Sequence, residues 1–288
     1  MAKDLREIVR KVTELPTLPQ VVTAILSLID SPDSSAEDVN KVMERDPALV
    51  GKILKLVNSA YYGLPNKVNS VRQAIVILGF STVKSLAISA SVFDMFDARR
   101  TSGFSREQFW THSIGCGCIA RLVGHREAGV DEEVSFVVAL LHDIGKLVLD
   151  QYAPQEFDAI VNLARAERLS FYQAEREVLQ ETNHAEIGAW VAEQWKLSAE
   201  LATAIRYHHE LGAVEDLQIR RLAAICRFSN FICQKRQVGA SGNFCEPEMD
   251  SEAWATLSIP KEELPKLVDT VNQELSRSSA FLSLAMGV

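Results

Sequence analysis

Apolar residues recur at helical spacing along most of this chain, and that periodicity restricts the fold more than any other feature. The clearest stripe lies near the N-terminus and consists of Leu18, Val21, Val22, Ile25, Leu26 and Ile29. This spacing is one face of an amphipathic helix. Alternation typical of a half-buried strand is not convincing anywhere, since even residues 75–78 (Ile-Val-Ile-Leu) fit a helical stripe. The sequence predicts an all-α fold, a multi-helix bundle of about twelve helices or more.

Helix-start signals lie between these stripes. Residues 34–37 (Ser-Ser-Ala-Glu) have the form of a capping box, in which the two end side chains satisfy backbone donors. Asp46 before Pro47 predicts an N-cap followed by proline at the first helical position, where its missing N–H costs nothing. Further starts are predicted at Ser81, Ser105, Ser170, Thr182, Ser198 and Pro260.

Length and charge narrow the class of protein. The 288 residues allow one large domain or two modest ones, and 47% hydrophobic with 24% charged residues excludes a disordered chain. A net charge of −8 without a basic run argues against bulk nucleic-acid binding, which depends on phosphate neutralisation. No apolar run approaches the ~18 residues of a membrane span, and the N-terminus lacks the apolar stretch of a signal peptide. We therefore expect a cytoplasmic protein with no membrane partner.

The cysteines do not form a recognisable metal-binding motif. There are five, at positions 116, 118, 226, 233 and 245, and none forms a Cys-x-x-Cys pair. With no export signal, buried free thiols are the expected state. Cys116 and Cys118 are two residues apart and lie on different helix faces, so both cannot join one site without distortion.

The histidines are the most informative chemical feature. All six follow residue 111, at His112, His125, His142, His184, His208 and His209. The His142–Asp143 pair follows an apolar run inside a helical pattern, and imidazole with carboxylate suits a borderline or hard divalent metal. A lone pair of this kind is more simply a hydrogen-bonded core histidine. However, four successive helical segments each offer a histidine, and one shared metal site explains them better than four separate buried partners.

Several motifs together resemble a known family. A histidine, then His-Asp, then a later acidic residue is the pattern of the HD superfamily of metal-dependent phosphohydrolases. Four segments of the first half resemble the HDOD family, the HD-related output domain of bacteria: residues 15–19 (Leu-Pro-Thr-Leu-Pro), 45–49 (Arg-Asp-Pro-Ala-Leu), 57–63 (Val-Asn-Ser-Ala-Tyr-Tyr-Gly) and 74–79 (Ala-Ile-Val-Ile-Leu-Gly). The similarity covers residues 13–236. It implies an all-α bundle with an HD-like core, in a family whose members often act as non-enzymatic interaction modules in signalling.

The resemblance to metal-binding HD-GYP relatives also implies a ligand set. The residues that fall on metal-ligand positions are His112, His142, Asp143, His184, His208, His209 and, in the closing acidic position, Asn230. Asn230 offers a carbonyl oxygen but no charge, which weakens one metal position. Asp143 and Lys146 fall on catalytic positions. The implied cofactor is a divalent transition metal, as one ion or a pair, with iron or manganese preferred over zinc or nickel.

Two functions follow from this resemblance. The first is a bacterial signal-transduction module that binds metal and acts by interaction, with a signalling protein or a small phosphorylated ligand as its partner. The alternative is a metal-dependent phosphohydrolase acting on a nucleotide or cyclic nucleotide. The Gly-Tyr-Pro element linked to cyclic dinucleotide hydrolysis in the relatives is absent after His209. That absence and Asn230 favour the first function.

The predicted organisation has three parts. Residues 1–100 form an N-terminal helical lobe of the HDOD domain, and residues 101–240 form an HD-like lobe with the His/Asp cluster. Residues 241–288 form a C-terminal helical extension. Residues 237–250, rich in turn-forming side chains, are the predicted loop before that extension.

Overall fold

The computed structural model describes residues 17–29, 31, 33–93, 95–96 and 104–285. These residues contain fourteen α-helices and two 3₁₀ turns, and no strand occurs among them. The all-α prediction is therefore confirmed. Leu15 and Pro16 of the first family-like motif lie outside the described residues, as do residues 97–103 around the predicted boundary at residue 100.

The chain divides into two compact units that we describe separately. The first, here the histidine-free unit, comprises Thr17–Met95 and Glu262–Val288. Its helices are α1 (Gln20–Ile29), α2 (Ala36–Met43), α3 (Pro47–Val57), α4 (Val71–Val92) and α14 (Leu264–Ala285). The last helix of the chain packs against α3, with the Phe281 and Tyr61 rings edge to face at 5.7 Å. A core of residues far apart in sequence therefore holds this unit together.

The second, here the histidine unit, includes Phe96–Lys261. Its helices are α5 (Arg106–Gly124), α6 (Glu132–Leu141), α7 (Ile144–Tyr152), α8 (Pro154–Glu167), α9 (Phe171–Leu179), α10 (His184–Gln194), α11 (Ala199–Arg206), α12 (Leu217–Lys235) and α13 (Ser251–Thr256). The end of this unit is tied back by the Ser258 amide, which donates to Glu127 Oε1 at 2.8 Å. The sequence-based division at residues 100 and 240 stays a prediction beside this contact-based one.

Four of the predicted helix starts are found where the sequence placed them. Asp46 caps α3 with Pro47 at its first turn, and Ser105, Ser170 and Ser198 each accept a backbone N–H at a helix start. Ser170 and Gln173 also form a complete capping box.

Three predicted starts are displaced. The N-terminal capping box uses Ser35 and Asp38 rather than residues 34 and 37, because the Asp38 carboxylate reaches back to the Ser35 amide. Asn183, rather than Thr182, caps α10. Ser81 lies within α4, and the break in that helix is at Gly79, whose φ of 85° only glycine adopts without strain.

Helix α4 has the length and composition of a membrane span, with a mean hydropathy of 1.8 in its most apolar window. However, 61% of that window is buried inside the protein, as in the core helix of a globular domain. The kink at Gly79 interrupts it, and Ser85, Ser89 and Ser91 lie buried with their hydroxyls bonded to carbonyls one turn back. These features favour a core helix.

Close helix packing brings the histidine-bearing elements together. Helices α5 and α6 meet at Gly124, where a Cβ would lie 2.6 Å from Ser135 Oγ. Helices α7 and α10 meet at Gly145, where a Cβ would overlap the backbone carbonyl of His184. Glycine at these positions lets the backbones approach closely enough for histidines from different helices to face one point.

Candidate metal centre

The His142–Asp143 pair occupies a break between two helices rather than the middle of one. Helix α6 ends at Leu141 and α7 begins at Ile144, so His142 closes one helix and Asp143 opens the next. Asp143 makes no capping hydrogen bond with its side chain. The break removes the 100° offset between adjacent helical positions and lets both side chains turn toward one point.

Asp143 lies at the centre of the cluster. Its Oδ2 is 3.3 Å from His142 Nε2 and 2.8 Å from Lys146 Nζ, and its Oδ1 is 3.1 Å from His184 Nε2. His184 Nε2 is in turn 3.2 Å from His209 Nε2. The structure therefore brings together residues that lie far apart in the sequence, from His142 to His209.

Backbone carbonyls fix the ring orientation of three of the histidines through Nδ1. The Nδ1 atoms of His142 and His208 lie 2.7 Å from the carbonyls of Ala139 and Ile205. That of His112 lies 3.3 Å from the Val238 carbonyl. Because a carbonyl only accepts, these Nδ1 atoms carry the proton and leave Nε2 with a free lone pair. This is the tautomer that metal-ligating histidines adopt.

His184 is oriented by a carboxylate instead. Its Nδ1 lies 2.6 Å from Glu175 Oε1, and its backbone amide donates to Glu175 Oε2 at 2.9 Å. Both side chains are fully buried. Burial lowers the pKa of His184, but the nearby carboxylates of Glu175 and Asp143 raise it above its ordinary value. The Glu175–His184 pair resembles the carboxylate–histidine pairs that make imidazole a stronger ligand.

The protonation states suit cation binding. Burial, together with His142, lowers the pKa of His112 to about 4. Burial and the neighbouring histidines also lower the pKa values of His208 and His209. Burial alone would raise the pKa of Asp143, but interactions with His142 and Lys146 hold it well below its usual range. At neutral pH these groups therefore offer neutral imidazoles around one carboxylate.

Three buried polar atoms test whether a metal fits. His142 Nε2, His208 Nε2 and Asp143 Oδ1 have less than 1 Å² of exposed surface each and no hydrogen bond of acceptable geometry. Ligand atoms of these three residues lie within 4.8 Å of one another. Unpaired buried polar atoms are rare because each costs free energy, and a shared cation satisfies all three at once. The residues present therefore fit a divalent metal.

The possible ligands form three overlapping groups. They are His112–Cys116–His142, His142–Asp143–His208 and His184–His208–His209. A histidine Nε2 has one lone pair, so His142 and His208 can each serve one ion at a time. Two groups share no ligand. We name His112, Cys116 and His142 the enclosed triad, and His184, His208 and His209 the cleft triad. Asp143 faces a member of each triad, His142 and His184.

A cleft of about 640 Å³ leads to the second of these triads. Residues lining it include Lys146, Tyr172, His184, His209, Arg227 and Asn230. The Tyr172 ring stacks on the His209 ring at 4.1 Å, and its hydroxyl donates to Glu210 at 2.6 Å. The cleft therefore gives solutes access to His184 and His209 beside cationic side chains.

Residues 237–243, here the covering segment, close the other side of the cluster. The Ala240 amide donates to the Gln108 carbonyl at 2.9 Å, and Lys146 Nζ donates to the Ser241 carbonyl at 3.0 Å. At Gly239 a Cβ would overlap the backbone of residues 108 and 112. The predicted loop is thus partly built into the site.

The remaining site residues are placed as follows. Lys146 is 2% exposed, so it is a buried lysine rather than a solvated one. Asn230 lies on α12 and lines the cleft, and its Oδ1 accepts a hydrogen bond from Gln234 Nε2 at 2.6 Å. Its role as a ligand stays a prediction. His125, outside the predicted site, is exposed and pairs with Glu132.

Two side chains of the site, Cys116 and Glu175, were not predicted from the sequence. Cys116 Sγ lies 3.4 Å from His112 Nε2, one helical turn away, and their four-residue spacing was the available signal. Glu175 gave no such signal, since it lies nine positions before His184 on another helix. All five cysteines are free thiols, as predicted, and four are buried.

Comparisons with solved structures agree with this fold. An HDOD domain protein of unknown function from Geobacter sulfurreducens has a TM-score of 0.75 at 26% identity, over 98% of this chain and 95% of that one. A candidate phosphohydrolase from Shewanella amazonensis has a TM-score of 0.70 at 24% identity, over 97% and 96%. A candidate signal transduction protein from Marinobacter aquaeolei has 0.76 at 21% identity, over 99% and 62%. The last two likenesses concern the fold alone.

Among curated proteins, an uncharacterized protein of Treponema pallidum is 28% identical over 223 residues, 76% of this chain and 42% of its own length. Ribonuclease Y of Mycoplasmoides gallisepticum is 22% identical over 188 residues, 63% of this chain and 28% of that protein. The chain thus spans less than half the length of these relatives. The HDOD domain family matches residues 15–211, more than half of the chain. With its helical fold and solved neighbours, the chain belongs to the HDOD domain family.

Proposed function

We propose that this protein is a metal-binding HDOD module that acts as an interaction and regulatory element in signal transduction. Two divalent transition metal ions, iron or manganese by the chemistry of imidazole and carboxylate ligands, would be held by the two triads with Asp143 between them. The partner would be a signalling protein or a small phosphorylated ligand bound at the cleft.

One observation carries the metal-binding part of this proposal. The unpaired atoms His142 Nε2, His208 Nε2 and Asp143 Oδ1 converge in a buried position. Three separate desolvated acceptors would each cost on the order of 1–3 kcal/mol if nothing bound them. A divalent cation removes this cost and accounts for the proton placement on the outer nitrogens.

The regulatory part is supported by how tightly the catalytic positions are engaged. Lys146 is bound to Asp143 and to the Ser241 carbonyl, and neither Lys146 nor Asp143 is more than 2% exposed. Metal sites closed by protein are typically structural, whereas catalytic metals keep an open position. A metal held here would stabilise the unit and would couple its structure to whatever occupies the cleft.

Metal content measured on protein purified without chelator tests this proposal. We expect at least one transition metal per chain, and less than about one per two chains would contradict it. His142→Ala should lose metal, because it removes an unpaired nitrogen from the cluster. His125→Ala is the matched control, since His125 lies exposed beside Glu132. Equal metal loss in both variants would contradict the ligand assignment.

A second candidate function, metal-dependent phosphohydrolase, is favoured by the cleft. Its lining places Lys146 and Arg227 beside His184 and His209, an arrangement suited to a phosphate group. A metal there would supply Lewis acidity and an activated water. Lys146 and Arg227 would bind phosphate oxygens, and Asp143 would remain ionised to hold the metal.

Hydrolysis is tested with linear and cyclic nucleotides in the presence of iron or manganese. Turnover that is lost in Lys146→Met and kept in Lys235→Met, an exposed lysine, would establish this function over the purely regulatory one. No turnover of any substrate by metal-loaded protein would leave the interaction module as the function.

A further inference from the structure

We propose that Cys116 binds metal as a thiolate, so that the enclosed triad is a mixed nitrogen–sulfur site. This inference rests on the proposed metal binding and adds to it a ligand type. It makes the two triads chemically different, because the cleft triad contains only imidazoles and the enclosed triad adds a sulfur.

The geometry places the sulfur where a ligand belongs. Cys116 Sγ lies 3.4 Å from His112 Nε2, and ligand atoms of Cys116, His112 and His142 lie within 4.8 Å of one another. A zinc ion with bonds of about 2.0–2.3 Å to nitrogen and sulfur fits among atoms at such separations. His112 and Cys116 are four residues apart on α5, so one helix face presents both.

Two further observations indicate that the Nε2 atoms of His112 and His142 are available to a metal in the enclosed triad. The His112 ring is held by the Val238 carbonyl on Nδ1, which leaves Nε2 facing the sulfur. His142, whose Nδ1 is held by Ala139, is fully buried and its Nε2 has no hydrogen bond. An unpaired buried nitrogen beside the thiol is not explained by ordinary core packing of a cysteine, which needs no polar partner.

The surroundings of Cys116 keep its thiol protonated when no metal is bound. A second buried thiol, Cys233 on α12, forms a hydrogen bond with Cys116 that favours the protonated form. Burial raises the pKa of Cys116, so the free thiol keeps its proton. Binding therefore forms one metal–sulfur bond, breaks one S–H bond and releases one proton to solvent, with no change in oxidation state.

The consequence is metal selectivity at the enclosed position. Thiolate ligands favour zinc and other thiophilic ions, whereas oxygen-rich sites favour manganese or magnesium. The enclosed triad should therefore hold zinc, cobalt or iron(II) more tightly than manganese. The cleft triad should discriminate less, since imidazole with carboxylate suits all of these ions.

Cobalt(II) loading of the full chain tests the proposal. Thiolate–cobalt coordination gives an intense charge-transfer absorption in the near ultraviolet that imidazole and carboxylate do not give. We expect this band in the native protein and in Cys118→Ser, and its loss in Cys116→Ser. Cys118 is the matched control because it lies on the same helix and is equally buried. A band that survives Cys116→Ser would overturn the proposal.

A measurement on the unmodified protein guards against misfolded variants. X-ray absorption of the zinc-loaded chain should show a sulfur neighbour at about 2.3 Å besides nitrogens at about 2.0–2.1 Å. Bound zinc with nitrogen and oxygen neighbours alone would overturn the thiolate and leave the metal-binding proposal standing. Absence of any bound metal, measured on the same sample, would overturn both.

Discussion

The enclosed triad and the cleft triad both contain histidines of the same cluster, yet their surroundings differ. His112, Cys116 and His142 are at most 1% exposed, and the covering segment contacts His112 directly. His209 of the cleft triad is partly exposed and lies in the wall of the cleft. The difference suggests that one half of the centre serves stability, while the other half can exchange ligands with solvent.

Their supporting groups differ as well. Backbone carbonyls orient both histidines of the enclosed triad. In the cleft triad a buried carboxylate, Glu175, orients His184. Neutral carbonyls fix geometry only, whereas a carboxylate also adds negative charge behind the ligand. The cleft triad thereby gains electrostatic support for a cation at the position that solvent can reach.

The largest expected effect is the loss of metal from both triads. Asp143→Asn should reduce metal occupancy at both triads by tenfold or more, since Asp143 faces both and is the only carboxylate in these ligand groups of the described residues. Elemental analysis of the purified protein measures the effect. Asp216→Asn is the control, because Asp216 caps α12 and asparagine caps equally well. Normal occupancy in Asp143→Asn would refute the bridging role.

The next effect tests whether close helix packing supports the cleft triad more than the enclosed triad. Gly145→Ala should lower the free energy of unfolding by about 3 kcal/mol, because the added methyl overlaps the His184 carbonyl and forces α7 and α10 apart. Metal at the cleft triad should be lost before metal at the enclosed triad. Urea unfolding and metal titration measure both quantities. Gly51→Ala, a helical site with open space, should be neutral or slightly stabilising. Equal behaviour of the two variants would contradict the packing argument.

A smaller effect is expected when the negative charge of Glu175 behind the cleft triad is removed. Glu175→Gln should weaken metal binding at the cleft triad by about 10–100-fold and leave the enclosed triad unchanged, because only His184 depends on this carboxylate. Competitive titration with a chelator of known affinity measures the loss. Glu177→Gln, an exposed position on the same helix, is the control. If affinity falls equally at both triads, the two share their electrostatic support and the contrast between them is wrong.

The effect that is smallest for each residue is a pH dependence of the metal-free protein. Burial lowers the pKa of His112 to about 4 and also lowers those of His208 and His209. Below about pH 6.5 the unfolded chain binds protons that the folded chain does not. The free energy of unfolding therefore decreases as the pH is lowered. Each histidine contributes at most about 1.4 kcal/mol per pH unit.

His184 has the opposite sign, since its pKa is raised and its contribution is lost only as pH rises above the unfolded value. Urea unfolding at pH 7 and pH 5 measures the balance. His112→Gln should reduce the pH dependence of the free energy of unfolding below pH 6.5 by the contribution of one histidine. A pH dependence that is the same in His112→Gln and in the unmodified protein would show that His112 is not held neutral.

Local features of the fold were predictable because they depend on a few neighbouring residues. Asp46 with Pro47, and Ser170 with Gln173, each form their cap within one turn. The same locality explains the errors. Residues 34–38 offer two overlapping serine-led boxes, and only the backbone direction decides that Ser35 pairs with Asp38. Adjacent candidates of this kind are equivalent in sequence.

The site was predictable in composition but not in geometry. The residue types identified His112, His142, Asp143 and His184 as candidates, because each needs a partner that an apolar helix face does not provide. Which nitrogen points inward depends on carbonyls such as that of Val238, 126 positions from His112. Long-range packing of this kind, including the approach at Gly145, leaves no periodic trace in the sequence.

Because α14 belongs to the histidine-free unit, the two units become complete in a fixed order during synthesis. During synthesis residues 17–95 leave the ribosome before the histidine unit, but the core partners that α14 supplies, among them Phe281, leave after it. The histidine unit, although second in the chain, is therefore the first whose residues are all available for folding. A nascent chain of this protein thus holds the histidine-free unit incomplete until α14 emerges.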